Sequence, residues 1–443
     1  MLFQQLQEQT VELGWSFYGP VLLFVALCAL GVPVWAVIGA SAAALIWWSG
    51  AVPMSLLGES LFSGIDAFAL TAVPLFILTG DVLVRTGLSR KFLDVAEALT
   101  SWGKGGFGSA TVLVCGMFAA ISGSDAAGAA AVGRMTIARL VEAGYPRPYA
   151  CALVAAGACT GILIPPSIAY IIIGLVLGIS ASTLFLAALV PGLLILVSIL
   201  VTNTVVNLRY GYEGGGGLGL RDWLAQLGRA LRSGWYAFIV PGIIFYGIFS
   251  GQFTPTEAGA TAVVVTIAIG FVIGTLRLAD FPQMLVSSAK VNGVILPIIA
   301  FSLPLAQALA IMGVPQGFVT SVTSLTDQPW ILILLMIGIL VAAGCVMETT
   351  PNIVILAPIL KPLADNIGMN DIQFCVMMIT ALGVGFITPP LGLNLFVTAG
   401  ITGESILRIA WRAVPFVIFM LIVTLLIAYV PAISTSLLPE IYR

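Results

Sequence analysis

Two proline pairs constrain this chain more than any other feature. The first lies in Gly161-Ile162-Leu163-Ile164-Pro165-Pro166-Ser167, inside an apolar run from about residue 150 to 190. Adjacent prolines remove two backbone donors and stop a continuous helix, leaving upstream carbonyls without partners. The second pair, in Gly385-Phe386-Ile387-Thr388-Pro389-Pro390, follows 224 positions later in another apolar run. In hydrocarbon such a break persists only where it is buried in protein or lines a cavity. Two broken helices at matching places in two halves point to a transport site.

That argument requires a membrane, and composition supplies one. Of the 443 residues 60% are hydrophobic and 8% charged, with mean hydropathy +1.13. A soluble domain carries about 25% charged residues, so the chain reads as an all-α polytopic membrane protein embedded in a lipid bilayer. Net charge is −2 and no basic stretch suggests a nucleic-acid partner. There are no histidines, which removes the commonest general base and transition-metal ligand. No catalytic residue is expected. Cys28, Cys115, Cys151, Cys159, Cys345 and Cys375 fall in apolar runs without metal-ligand spacing and read as small packing residues. The N-terminal segment 1–15 carries Glu8 and Glu12 but no basic signal-peptide region, so the first apolar run is expected to stay as a span.

The punctuation repeats. Gly161 matches Gly385, Pro165-Pro166 matches Pro389-Pro390, and Pro191 matches Pro415, all at an offset of 224. About 40 residues ahead of each proline pair lies a small polar cluster, Ser122-Gly123-Ser124-Asp125 in one half and Glu348-Thr349-Thr350-Pro351-Asn352 in the other. The chain therefore divides into a first repeat over 16–207, a Gly/Arg-rich cytoplasmic connector over 208–234, a second repeat over 235–430 and a tail over 431–443. The first repeat is expected to hold a hairpin at about 108–140 and a broken helix at about 150–178. The second should hold them at about 330–364 and 372–401.

Charge sets the orientation of the repeats. Arg85, Arg90, Lys91 and Lys104 precede the first cluster, and Arg134, Arg139 and Arg147 follow it. Both ends are then cytoplasmic, and the segment between is a re-entrant hairpin. The second cluster is flanked by Asp327, Asp365 and Asp371, with Lys361 the one basic exception, so it enters from the opposite face. The expectation is two inverted-topology repeats, each with a hairpin and a Pro-Pro-broken helix, in an elevator-type, ion-transporter-like fold.

Helix breaks at membrane depth offer carbonyls to a desolvated cation and half-helix N-termini to an anion. Na⁺ is hard and takes oxygen ligands. One candidate sodium site is Ser122, Ser124, Asp125, Gly161 and Pro165; the other is Glu348, Thr349, Thr350, Gly385, Thr388 and Pro389. Candidate substrate contacts between the tips are Ser124, Pro166, Ser167, Thr350, Pro390 and Asn394. Serines and threonines also bond back to their own helix carbonyls, and glycine faces also serve close packing; the duplicated spacing argues against that reading alone. Asp125 and Glu348 sit at the two tips as direct ligands or as groups that hold the tip. Asp81 and Glu257, near span ends, read as structural. Trp47, Trp48, Trp235, Trp330 and Trp411 read as interfacial anchors.

Several segments resemble one family. They are Pro74-Leu75-Phe76-Ile77-Leu78-Thr79-Gly80, Ile121-Ser122-Gly123-Ser124, Gly144-Tyr145, Gly161 to Ser167, Phe253-Thr254-Pro255-Thr256-Glu257-Ala258, Ala357-Pro358-Ile359-Leu360 and Ile387 to Phe396. Together they look like the large membrane subunit, DctM, of the tripartite ATP-independent periplasmic (TRAP) transporters. The resemblance implies a sodium-driven importer of small organic anions such as C4-dicarboxylates, working by an elevator motion in the bacterial or archaeal inner membrane. It implies two partners, a periplasmic solute-binding protein and a small four-helix membrane subunit, the latter expected as a separate chain. It also puts the family's two sodium sites on the positions above. Asp125 departs from the pattern, because the family commonly has a small residue after Ser-Gly-Ser. A stand-alone sodium/dicarboxylate symporter of the same architecture is the alternative. An intramembrane enzyme lacks a nucleophile-and-base pair, and closed-ended hairpins suit occlusion rather than an open channel.

Overall fold

The computed structural model describes residues 15–50, 53–101, 105–213 and 219–439. Glu8, Glu12, Lys104, the glycine run 214–217 and the last residues of the tail lie outside them. The described residues form helices and connecting turns, with no strand among them. Among the described residues six helices are long and apolar enough to cross a bilayer, or seven if the bent pair Arg147–Leu163 and Ile168–Leu177 counts as one span.

The incoming hairpin arms are not among them, and helix length is the reason. The incoming hairpin arms, Gly106–Ser122 and Pro329–Gly344, have 17 and 16 residues, short of the ~20 a helix needs to traverse ~30 Å of hydrocarbon. Each instead turns back, into Asp125–Glu142 and Thr349–Asn366. The first turn takes two residues. Gly123 adopts φ +60°, closed to L side chains, and caps the incoming arm,. Ser124 is extended and caps the outgoing arm, its hydroxyl accepting from the Ala127 N–H at 3.4 Å,. In the second turn Asn352 supplies the closure, its amide donating to Ala343 O at 3.2 Å and Met347 O at 2.9 Å.

Each hairpin leads into a broken helix. The first runs Arg147–Ala158, Thr160–Leu163 and, after the break, Ile168–Leu177, bent by 42°. The second runs Asp371–Gly385 and resumes at Leu393–Thr402. A long helix follows each, Ala181–Tyr210 and Ile406–Tyr429, with Pro191 and Pro415 inside them. The fold is therefore the expected all-α one, two repeats with the same order of hairpin and break. Hairpins, broken helices and these long helices pack together as one body. A second layer forms from Val34–Ser49, Ser55–Ile65, Ala72–Arg85, Pro255–Ile273 and the 31-residue Phe281–Ile311.

Charge pairs mark the hairpin bases. At the first, Arg139 pairs with Glu97 at 2.7 Å and lies over the Phe107 ring. At the second, Lys361 is held by Asp365 and, at 3.0 Å, by Asp371. The one basic residue that ran against the orientation argument is thus paired with two carboxylates. Asp81 pairs with Arg85 at 3.1 Å, and Glu257 closes a capping box with Thr254; both are structural, as the sequence suggests.

The connector differs from the loop that its composition suggests. Leu220–Gly234 is a helix with acidic Asp222 in its first turn and Arg232 in its last, and it packs on Leu88–Thr100. Leucines at 220, 224, 227 and 231 recur at helical spacing, so glycine and arginine content hid a periodic apolar stripe. Just before it, Glu213 accepts from the Phe107 N–H at 3.0 Å and from the Tyr145 hydroxyl at 2.9 Å.

Candidate functional site

Missing proline donors define the local chemistry. Pro165 and Pro166 cannot donate to Gly161 O and Ile162 O, their partners in a regular helix. Ser167 repairs one loss, its hydroxyl donating to Ile162 O at 2.8 Å. Gly161 O gains no replacement among the described residues. In the second repeat Gly385 O accepts from the Thr388 N–H at 2.9 Å, and Phe386 O accepts from the Asn394 N–H at 3.2 Å. Both proline pairs are joined by cis peptide bonds.

Each hairpin tip sits on its own break. A Cβ at Gly161 would lie 2.6 Å from Asp125 N and 2.7 Å from Ser124 O, so only glycine admits the tip this closely. Gly123 O accepts from the Ile168 N–H at 3.3 Å, at the start of the resumed helix. In the second repeat a Cβ at Gly385 would meet Val341 O at 2.6 Å and Gly344 Cα at 2.7 Å. Cys345 O accepts from the amides of Leu391 and Gly392, each at 3.2 Å. The equivalence extends to the caps, since Ser124 and Glu348 are the N-caps of the two outgoing arms and again stand 224 apart.

Ser122, Ser124, Asp125 and Gly161 are therefore brought together, with Pro165 in the adjoining break. Ser122 Oγ donates to Ser124 O and accepts from Ser124 N, both at 3.5 Å, the outer limit of a hydrogen bond,. Asp125 is 3% exposed and its Oδ2 has no partner. Glu348, Thr349 and Gly385 gather likewise around the second tip, with Thr350 buried behind them. Thr349 Oγ1 and Asn352 Oδ1 are buried without partners. Such orphaned oxygens are rare in a native interior and suit a hard cation. Asp125 and Glu348 stand at the N-terminal ends of the two outgoing arms, one carboxylate at each tip.

The two breaks differ in their surroundings. Pro165, Pro166 and Ser167 are buried, whereas Thr388 is half-buried and Pro389 and Pro390 are exposed. Asn394 turns into the other repeat, donating to Ala155 O at 3.3 Å and Cys159 Sγ at 3.4 Å, with its Oδ1 left unpartnered. Two cavities lie against the tips. One, of about 280 Å³, is walled by Gly344 to Glu348 and by Leu391, Leu393, Phe396 and Val397. The other, of about 210 Å³, runs down the outgoing arm of the first hairpin past Ser122 and Ser124 to Arg134. Of the six candidate substrate contacts only Ser124 lines either cavity. Arg134, Ser287 and Ser288 were missed, and no local signal marks them.

The sequence profile described as "Tripartite ATP-independent periplasmic transporter, DctM component" matches residues 21–433. The chain belongs to the DctM family. It is 36% identical over 382 residues to the C4-dicarboxylate TRAP transporter large permease protein DctM of Pseudomonas aeruginosa, covering 86% of this chain and 88% of that one. It is 31% identical to the 2,3-diketo-L-gulonate TRAP transporter large permease protein YiaN of Escherichia coli, covering 91% and 94%. Against the isethionate TRAP transporter permease protein DctMQ of Oleidesulfovibrio alaskensis it is 35% identical, covering 94% of this chain and 65% of that one. The fold is similar to the crystal structure of the Alcanivorax borkumensis YdaH transporter, with a TM-score of 0.61 over 95% of this chain and all of that one at 16% identity. DctM proteins are large permease subunits of tripartite transport systems, and this DctM-family chain is a multi-pass inner-membrane protein.

Proposed function

We propose that this chain is the membrane permease of a sodium-coupled, binding-protein-dependent importer of small organic anions, with repeats over 16–207 and 235–430. The observation that carries this reading is the hairpin tip seated on a helix break in both repeats. In it, one Na⁺ is held by Ser122, Ser124, the Asp125 carboxylate and Gly161 O. A second is held at Glu348, Thr349, Thr350 and the carbonyls ahead of Pro389. A cation at each tip offsets the carboxylate charge of Asp125 and of Glu348, and the paired sites then accept an anion. The body of hairpins and broken helices moves as a unit against the layer of Ala72–Arg85 and Phe281–Ile311, which is an elevator motion. A small four-helix membrane subunit braces that layer, and a periplasmic binding protein delivers the acid. C4-dicarboxylates, isethionate and 2,3-diketo-L-gulonate, named for the relatives, define the substrate class to be tried first.

The test is reconstitution of the chain with its small subunit and binding protein, followed by uptake of these acids with and without a sodium gradient. Uptake that needs both the gradient and the binding protein is the expected result. Uptake indifferent to sodium removes the coupling, and uptake without the binding protein supports a stand-alone symporter instead.

A further inference from the structure

The cavity beside the first hairpin has a chemistry that the two tips do not explain. Its walls come from four helices, the incoming arm contributing Phe118 and Ser122. The outgoing arm contributes Ser124, Ala127, Ala130, Ala131 and Arg134, one face at helical spacing. Ala72–Arg85 contributes Ile77, Gly80, Asp81 and Val84, and Phe281–Ile311 contributes Ser287, Ser288 and Val291. At 1.5 Å per residue the slot extends ~15 Å from the tip serines to Arg134. Its volume of about 210 Å³ far exceeds the ~15 Å³ that one water requires.

Among the described residues, two buried polar atoms in or beside this slot have no protein partner. Ser288 is 6% exposed and its Oγ is unpartnered although it lines the cavity. One turn further on, Asn292 Oδ1 is also buried and unpartnered, while its Nδ2 donates to Ser288 O at 2.9 Å. Arg134 forms no ion pair among the described residues. The other charged group on the wall, Asp81, is neutralised by Arg85, which also donates to Gln283 Oε1 at 3.2 Å. The slot therefore keeps one uncompensated positive charge, with hydroxyls set above it. Arg134 lies on the side of the tip that leads to the basic base of the hairpin, which the positive-inside rule puts in the cytoplasm,.

We propose that Arg134, Ser287 and Ser288 form a cytoplasmic-side binding site for the carboxylate or sulfonate of the transported acid. The acid leaves the tip serines along the alanine face and pairs with the guanidinium before release. A guanidinium suits both anions because its N–H groups match their oxygens two at a time. The site rests on the transport reading above, but its charge preference can be measured without it.

Place a cysteine at Ser287 in a Cys28→Ala background; Cys28 is exposed and the other five cysteines are buried. In phosphatidylcholine nanodiscs, compare its reaction with 2-sulfonatoethyl methanethiosulfonate and with the trimethylammonium analogue, taking exposed Ser324→Cys as reference. The anionic reagent is favoured by about fivefold over the reference, as one facing charge predicts. Arg134→Gln abolishes that preference and Arg134→Lys retains it. A preference untouched by Arg134→Gln overturns the site. So does a preference lost when phosphatidylglycerol replaces the neutral lipid, because the guanidinium then serves a lipid phosphate. In the reconstituted transporter Arg134→Gln raises KM for acid on the cytoplasmic side and leaves the periplasmic-side KM unchanged. An equal loss on both sides with a lowered melting temperature would mean a structural role and overturns the site. If the unmodified protein takes up no acid but keeps the reagent preference, the transport reading fails and the anion site stands.

Discussion

The Cys159 thiol donates to the carbonyl oxygen of Gly383 at 3.3 Å, and the two residues stand 224 positions apart. They occupy the same place in the two repeats, so each broken helix touches its counterpart just ahead of the proline pair. Equivalent residues of a two-fold arrangement meet only near its axis.

Two glycines on one helix should behave oppositely. A Cβ at Gly383 would meet its nearest neighbour, Ile162 Cδ1, at 3.5 Å, an ordinary contact. A Cβ at Gly385 would meet backbone atoms of the second hairpin at 2.6–2.7 Å, and backbone cannot rotate aside. Gly383→Ala is expected to transport normally. Gly385→Ala should lose ~1–3 kcal/mol of stability and most uptake, read by thermal melting and by transport.

The cation assignment makes a separate demand. Removing Asp125 Oδ2 as a charged ligand by Asp125→Asn should raise the sodium concentration for half-maximal uptake by ~10–100-fold, since charge-assisted contacts contribute ~1.5–3 kcal/mol. Ser124→Ala and Thr349→Ala should each weaken sodium activation in the same assay. Unchanged sodium curves in all three would sink the assignment.

Glu213 joins the connector to the first hairpin through Phe107 N and Tyr145. Glu213→Ala should lower stability by ~1.5–3 kcal/mol and speed proteolysis near residue 106. Glu213→Gln should recover part of the loss, because an amide oxygen still accepts. A melting curve identical to the parent's would show that the contact contributes nothing.

Inverted topology has a direct readout. Exposed Glu142 and Asn366 close the bases of the first and second hairpins. In a Cys28→Ala background, Asn366→Cys should react with an impermeant maleimide on intact spheroplasts, and Glu142→Cys only after permeabilisation. Labelling of both from one side would overturn the opposed orientation.

Which features were legible follows from how locally each is specified. Pro165-Pro166 and Pro389-Pro390 break their helices whatever surrounds them, because the missing N–H is covalent. The turns at Gly123-Ser124 and Glu348 were readable because a positive-φ glycine and N-caps act within a few residues. The first hairpin was readable from the basic residues on both sides of its polar cluster. Arrangement between distant segments was not. Pro166 and Pro390 carry the same signal in sequence, yet Pro166 is buried and Pro390 is exposed. The amide of Asn394, a candidate substrate contact, spans to Ala155 in the other repeat, a pairing with no local signal. Glu213 reaches a helix 106 residues away, and the slot between Ser124, Arg134 and Ser288 needs four helices that share no local pattern. The sequence by itself determined where this chain must break, because that depends on donors absent from particular residues. Only the tertiary structure decided which broken ends are buried and which face a cavity, because burial depends on which distant helices pack against them.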